Sequence, residues 1–128
     1  MATGIGGVIG NKGAVGITLT INDTSLCFVL VHFAARAERL EQRKNNFHEI
    51  TRDLALGSKD EDLLEQFDHV FWFGDLNYRV EMEFNHVVNL VEQCQFEQLW
   101  ATDQLAREIA AGNVFNEFQE VRFRLASL

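Results

Sequence analysis

Val70-Phe71-Trp72-Phe73-Gly74-Asp75-Leu76-Asn77-Tyr78-Arg79 is the stretch whose reading decides the fold. Its four leading apolar residues, with two Phe and one Trp, read as a strand buried on both faces. Gly74 interrupts the run and lets the backbone turn. A carboxylate, a carboxamide, a phenol and a guanidinium follow within five residues (Asp75, Asn77, Tyr78 and Arg79). A buried strand that empties into packed polar groups is how an α/β protein builds a site at the carboxyl end of its sheet. The chain is therefore read as α/β.

Toward the N-terminus, Val15, Ile17, Leu19 and Ile21 alternate with Thr18 and Thr20, the pattern of a half-buried strand. Asn22-Asp23-Thr24 carries turn chemistry, and Leu26 to Val31 is a continuous apolar run ending at His32. Together these predict a hairpin whose second strand is central. A helix is expected over 37–56, with Leu40, Phe47, Ile50 and Leu54 on one face. Arg39, Glu41, Arg43 and Lys44 fall largely outside that face, and Gly57 stops the helix. Residues 58–66 are charged and read as exposed, with a short helical turn at Asp62 to Glu65.

Beyond the motif, Phe84, Val87, Val88, Val91 and Cys94 recur at helical spacing over 83–94. Phe96, Leu99 and Trp100 read as core, and a further helix is expected from Thr102, as its N-cap, to Ala111, closed by Gly112. Val121 to Leu125 has the pattern of a short strand. The sequence contains neither an internal repeat nor a low-complexity tract.

The totals narrow the function classes. A chain of 128 residues suits one domain, and 47% apolar content with 11 Phe supplies a packed core. A net charge of −8 argues against general nucleic-acid binding, which rests on a basic surface. An anionic substrate would need local cations or a bound metal. Apolar runs fall short of the ~18 residues of a membrane span, and Met1-Ala2-Thr3-Gly4 does not read as a signal peptide. Cys27 and Cys94 lack metal-ligand spacing and read as reduced core thiols of a cytosolic protein. The chain has no proline, against an average of ~5%, so proline-bearing parts of a larger domain are expected elsewhere.

Several groups can carry chemistry. Asp75 and Asn77, two residues apart just past a buried strand, suit polarising a water and donating to a phosphoryl oxygen. The same pair also suits a turn in which both side chains cap backbone amides. His32, at the end of another apolar run, is either a hydrogen-bonded structural residue or a second polar group at the same sheet edge. Residues 4–13 form a glycine-rich loop with one cation, Lys12, but fit neither the Walker nor the dinucleotide pattern. Asn11 and Lys12 either bind an anion or are solvated turn residues. His48, His69 and His86 have no partner spacing and read as structural.

Phe71 to Arg79 resembles the first signature of the inositol polyphosphate 5-phosphatases, (F/I)WxGDxN(F/Y)R. Thr3-Gly4 through Gly10-Asn11-Lys12-Gly13-Ala14-Val15 is similar to the family's TG…GNKGAV. Thr24-Ser25 through Phe28-Val29 to His32-Phe33-Ala34-Ala35 looks like TSxxFVNSHLAA, and Arg43-Lys44-Asn45-Asn46-Phe47 with Ile50 like RNQxYxDI. These segments fall in family order over about residues 3–118.

The resemblance implies part of a four-layered α/β sandwich of the endonuclease/exonuclease/phosphatase type, two packed mixed sheets with flanking helices. It implies Mg2+-dependent hydrolysis of the 5-phosphate of phosphoinositides or soluble inositol polyphosphates. Carried over, Asp75 activates the attacking water, Asn77 holds the phosphoryl group and His32 contacts it and stabilises developing charge. Asn11, Lys12 and Arg79 bind substrate, Asn11 and Lys12 on the side of the 1-phosphate. Ile5, Val8 and Ile9 sit on a loop that approaches the lipid surface, so a cytoplasmic protein in peripheral membrane contact is expected.

Departures accompany the match. Leu30 stands where the family has Asn, and Arg36 where it has a small residue. The family's metal-binding Glu would lie upstream of Met1, its PTYK-like and WCDR-like segments would follow Phe118, and residues 119–128 diverge. The expectation is a central part of the catalytic domain with little activity alone. A non-catalytic phosphoinositide-binding scaffold and a nuclease of the same superfamily are the alternatives.

Overall fold

The computed structural model describes residues 12–58 and 61–121. The order is β1 (Gly13–Ile21), β2 (Thr24–His32), a 3-10 turn (Ala37–Arg39), α1 (Leu40–Asp53), β3 (His69–Asp75), α2 (Phe84–Glu92), α3 (Phe96–Ala101) and α4 (Gln104–Ala110). The three strands form one mixed sheet in the order β1-β2-β3, antiparallel between β1 and β2 and parallel between β2 and β3. The protein is α/β with β2 central.

Local chemistry explains the hairpin. Asn22 and Asp23 both have positive φ, 47° and 67°, as a two-residue turn that matches strand twist requires. Their side chains tolerate that region better than most. The turn fixes the register Gly13↔His32 through Ile21↔Thr24. The sequence from Leu54 to Asp68 then carries the chain back so that β3 enters parallel to β2.

One face of the sheet is covered. Cys27, Val29 and Val31 of β2 are buried there with Ala14, Phe33, Phe47, Ile50, Leu63, Val114 and Phe115. Phe47 of α1 packs 4.3 Å from Phe115 and 5.1 Å from Trp72 by ring centroids, and Phe118 closes the cluster 5.9 Å from Trp72. These off-parallel ring pairs suit aromatic quadrupoles.

The other face is open, and two sequence expectations change as a result. The apolar side of β1 is not buried: Val15, Ile17 and Ile21 are each more than half exposed. Strand β3 is buried on one side only, since Val70 and Trp72 are half-buried while Phe71 and Phe73 are each 47% exposed. The alternation was sound, but period two states which residues share a face and not what covers that face. Phe28 and Phe71 stack on the open side with centroids 5.0 Å apart.

The helices are shorter than expected and shifted. The 37–56 helix opens as a 3-10 turn and ends at Asp53, with Gly57 beyond it at φ 64°. Its polar side holds a surprise: Arg43 is fully buried and Asn46 nearly so. Helix α2 buries Leu90 but leaves Phe84, Val88 and Val91 exposed, and Trp100 of α3 is half exposed rather than core. Cys94 is exposed with φ 55°, whereas Cys27 is buried with its thiol pushed up by desolvation. Helix α4 is capped by Asp103, whose carboxylate accepts from Leu105 N and Ala106 N, and not by Thr102. The strand expected over 121–125 lies largely outside the described residues. None of the described helices is long and apolar enough to cross a membrane.

Candidate functional site

Parallel register brings the ends of β2 and β3 together. His32 pairs with Asp75, the last residue of each strand, and the next amide, Phe33 N, donates to Asp75 O at 2.9 Å. The His32 Nε2 and Asp75 Oδ2 atoms stand 3.7 Å apart with both side chains well exposed. The Lys12 ammonium reaches the same ring nitrogen from the start of β1.

Gly74 makes this approach possible. Its φ is 125°, and a Cβ there would lie 2.2 Å from Val31 O. Only glycine fits against β2 at that point. The chain then turns through Asn77 at φ 56°, with Asn77 N donating to Asp75 Oδ1 at 3.0 Å. The turn-capping reading thus holds for Asp75, whose Oδ2 is left facing the imidazole, but not for Asn77, whose side chain meets a carbonyl and a guanidinium instead of a backbone amide.

The Asn77 carboxamide is held at both ends. Its Nδ2 donates to Phe33 O at 3.1 Å, and its Oδ1 accepts from Arg79 Nη2 at 2.7 Å. One amide hydrogen remains free to meet a ligand. Arg79 also donates through Nε to Asn77 O, so its guanidinium leans on the turn.

Beneath this turn lies a group that sequence reasoning missed. Arg43 Nη1 donates to Ala34 O and Arg36 O, and Nη2 to Ala37 O and Gln104 Oε1. Its guanidinium carbon sits 5.2 Å from the Tyr78 ring centre. Burial lowers its tendency to stay charged, opposed by Tyr78 and the carboxylates of Glu38 and Glu81. The buried Gln104 accepts from Arg79 N at 3.1 Å and donates to Glu81 Oε1 at 2.7 Å. Hydrogen bonds from Gln104 and then Arg107 hold the Glu81 carboxyl below its usual range. The signal for Arg43 was its place one helical turn before Phe47 on α1, but arginine on a helix reads as solvated surface.

Asn11, Ile5, Val8 and Ile9 lie outside the described residues. Among the described residues the sequence candidates Lys12, His32, Asp75, Asn77 and Arg79 are neighbours at one sheet edge. Leu30, in place of the family's Asn, points to the open face and is 48% exposed. Two surface cavities, of about 500 and 470 Å3, lie away from this edge beside α1 and β3.

The arrangement has one free carboxylate oxygen, an imidazole, an ammonium and an amide hydrogen converging on open solvent. That set suits orienting a water against a phosphoryl group while offsetting its charge. A hard cation needs several oxygens, and the described residues contain no cluster of three His, Cys, Asp or Glu groups that could hold one. They do not make a metal site by themselves.

The model of endonuclease/exonuclease/phosphatase family 2 matches residues 1–126. The chain belongs to this family. Within it, the chain is 40% identical over 121 residues to phosphatidylinositol 3,4,5-trisphosphate 5-phosphatase 2A of Danio rerio, covering 92% of the chain and 10% of that relative. It is 42% identical over 124 residues to human synaptojanin-1, covering 97% of the chain and 8% of the relative. The chain superposes with a TM-score of 0.80 and 34% identity on the inositol polyphosphate 5-phosphatase domain of spsynaptojanin, solved with inositol (1,4)-bisphosphate and calcium. That match covers 89% of the chain and 33% of the solved domain. The chain therefore spans about a tenth of the curated relatives it matches and a third of the solved one.

Proposed function

We propose that the chain carries the water-activating part of an inositol polyphosphate 5-phosphatase site, acting on phosphoinositides or soluble inositol polyphosphates. The observation that carries the reading is the 3.7 Å approach of His32 Nε2 to Asp75 Oδ2 at the carboxyl ends of paired parallel strands. In this reading a water rests against Asp75 Oδ2, which orients it and takes its proton as it attacks phosphorus; the bond from phosphorus to the inositol 5-oxygen breaks, and that oxygen leaves and takes up a proton from solvent. Asn77 donates its free amide hydrogen to a non-bridging phosphoryl oxygen. His32 and Lys12 offset the charge that builds on the phosphoryl group. Arg79 holds the Asn77 carboxamide in place and is itself within reach of a further phosphate.

Mg2+ is the ion the resemblance names, and it would need oxygens beyond those Asp75 offers. The 128 residues alone are accordingly expected to release phosphate slowly, as a partial catalytic domain. The open sheet face, with Val15, Ile17, Leu30, Phe71 and Phe73, would pack against a second sheet in the four-layered sandwich. Ile5, Val8 and Ile9 would meet the cytosolic surface of a membrane.

A binding panel tests the reading. Inositol (1,4,5)-trisphosphate should bind in the presence of Mg2+ more tightly than a DNA oligonucleotide of equal charge. The −8 net charge and the compact cluster of cationic and amide donors favour a small, densely phosphorylated ligand over a long backbone. Preference for DNA would overturn the substrate class in favour of a nuclease.

A further inference from the structure

Arg43 has no ion-pair carboxylate among the described residues and is fully buried beneath an exposed site. Burying a guanidinium is costly unless its donors are met, and here four hydrogen bonds meet its two terminal nitrogens, while Nε has no partner among the described residues. Three of the acceptors are carbonyls of Ala34, Arg36 and Ala37, in the loop that leaves β2 just after His32. The fourth is Gln104 Oε1, at the start of α4.

These bonds close a ring around the site. Gln104 Oε1 also accepts from Arg79 N, Arg79 Nη2 donates to Asn77 Oδ1, and Asn77 Nδ2 donates to Phe33 O. Phe33 is bonded to Ala34, whose carbonyl returns to Arg43. Strand β2 ends at His32 and the loop after β3 carries Asn77, and the ring ties that loop to the segment that follows His32. Hydrogen bonds within β2 and β3 alone stop at His32 and Asp75.

We propose that Arg43, acting with Gln104, is the positioning residue of the site: it fixes where Asn77 stands relative to His32. This rests on the reading of His32, Asp75 and Asn77 as the phosphate-handling edge. A fixed fork is needed because two terminal nitrogens each meet two acceptors. Lysine offers a point charge with three rotatable donors and cannot span them in the same plane.

The test compares Arg43→Lys with Ile50→Val, which trims a fully buried side chain on the same helix that makes none of the ring's hydrogen bonds. Both should lower thermal stability. In Arg43→Lys alone, the Asn77 side-chain amide and His32 ring signals in NMR spectra should move, and the Asn77 amide should lose its hydrogen-exchange protection. Affinity for inositol (1,4,5)-trisphosphate with Mg2+ should fall about tenfold, the effect of one misplaced hydrogen bond. If Arg43→Lys leaves the Asn77 and His32 signals as in the parent chain, or Ile50→Val moves them equally, Arg43 is structural only and the proposal fails. Should Arg43→Lys not fold, Gln104→Met removes the shared acceptor and must move the same signals. The spectroscopic result stands even if the parent binds no inositol phosphate, which would instead overturn the function proposed above.

Discussion

His32 Nε2 lies 3.7 Å from Asp75 Oδ2 because both residues end parallel strands in matched register, and Lys12 meets the same nitrogen. One ring nitrogen thus faces a cation and an anion. Replacing the carboxylate should have opposite effects with and without a divalent ion. In metal-free buffer, Asp75→Asn removes a charge that repels phosphate and should tighten inositol (1,4,5)-trisphosphate binding by about fivefold, ~1 kcal/mol at this exposure. With Mg2+ present the same substitution should weaken binding. Calorimetric titrations in the two buffers check the reversal, and tightening in both would mean that Asp75 contributes nothing to a metal-assisted complex.

Gly74→Ala should be among the most damaging small substitutions. The added methyl meets Val31 O at 2.2 Å and Val31 N at 2.9 Å, backbone atoms of the central strand. The φ of 125° adds strain of ~1–3 kcal/mol. A total loss of about 2–4 kcal/mol is expected from urea unfolding, with the β2–β3 amides losing exchange protection first.

Tyr78 gives a pH signature. It is the only tyrosine, and burial, helped by the Glu108 carboxylate and opposed by Arg43, pushes its phenol up to about 12. A folded value raised above the unfolded ~10 means that the neutral phenol is favoured in the fold. The resulting stability is fully present below pH ~10 and is lost as pH rises toward 12. Absorbance at 295 nm should titrate near 12 in the folded chain and near 10 in urea. Tyr78→Phe should abolish this part of the alkaline loss at little cost near neutrality, because the hydroxyl has no hydrogen-bond partner among the described residues. A folded-state midpoint near 10 would show an accessible phenol.

The open sheet face should make the chain prone to self-association. Ile17 is 61% exposed on a strand surface it shares with Val15, Leu19 and Ile21. Ile17→Thr should change stability by less than ~0.5 kcal/mol while reducing binding of a hydrophobic dye and self-association. A loss of ~2 kcal/mol or more would mean that Ile17 is packed in solution.

The site was legible where two apolar runs each ended in a polar residue, since the carboxyl ends of two strands meet when the strands pair parallel and in register. His32 and Asp75 follow from that, and the turn at Asn22-Asp23 from local chemistry alone. What resisted reading depends on partners distant in sequence. Arg43 looks solvated on its own helix, and only the loop after β2 and Gln104, 61 residues on, give its charge a place inside. Burial of Val15, Ile17 and Phe73 turns likewise on what faces them, which periodicity does not contain. Thr102 and Asp103 are both good caps by residue type, but the Thr102 hydroxyl donates back to Leu99 O of the preceding helix, and the Asp103 carboxylate meets the two amides.

The most direct measurement is an amide and side-chain NMR titration of the chain with inositol (1,4,5)-trisphosphate in Mg2+, alongside inositol (1,4)-bisphosphate, which lacks the 5-phosphate. If this edge handles the 5-phosphate, signals of Lys12, His32, Asp75 and Asn77 should shift most, and more with the trisphosphate than with the bisphosphate. Equal shifts with both ligands, or shifts confined to the cavity beside His48 and Asp62, would contradict that assignment.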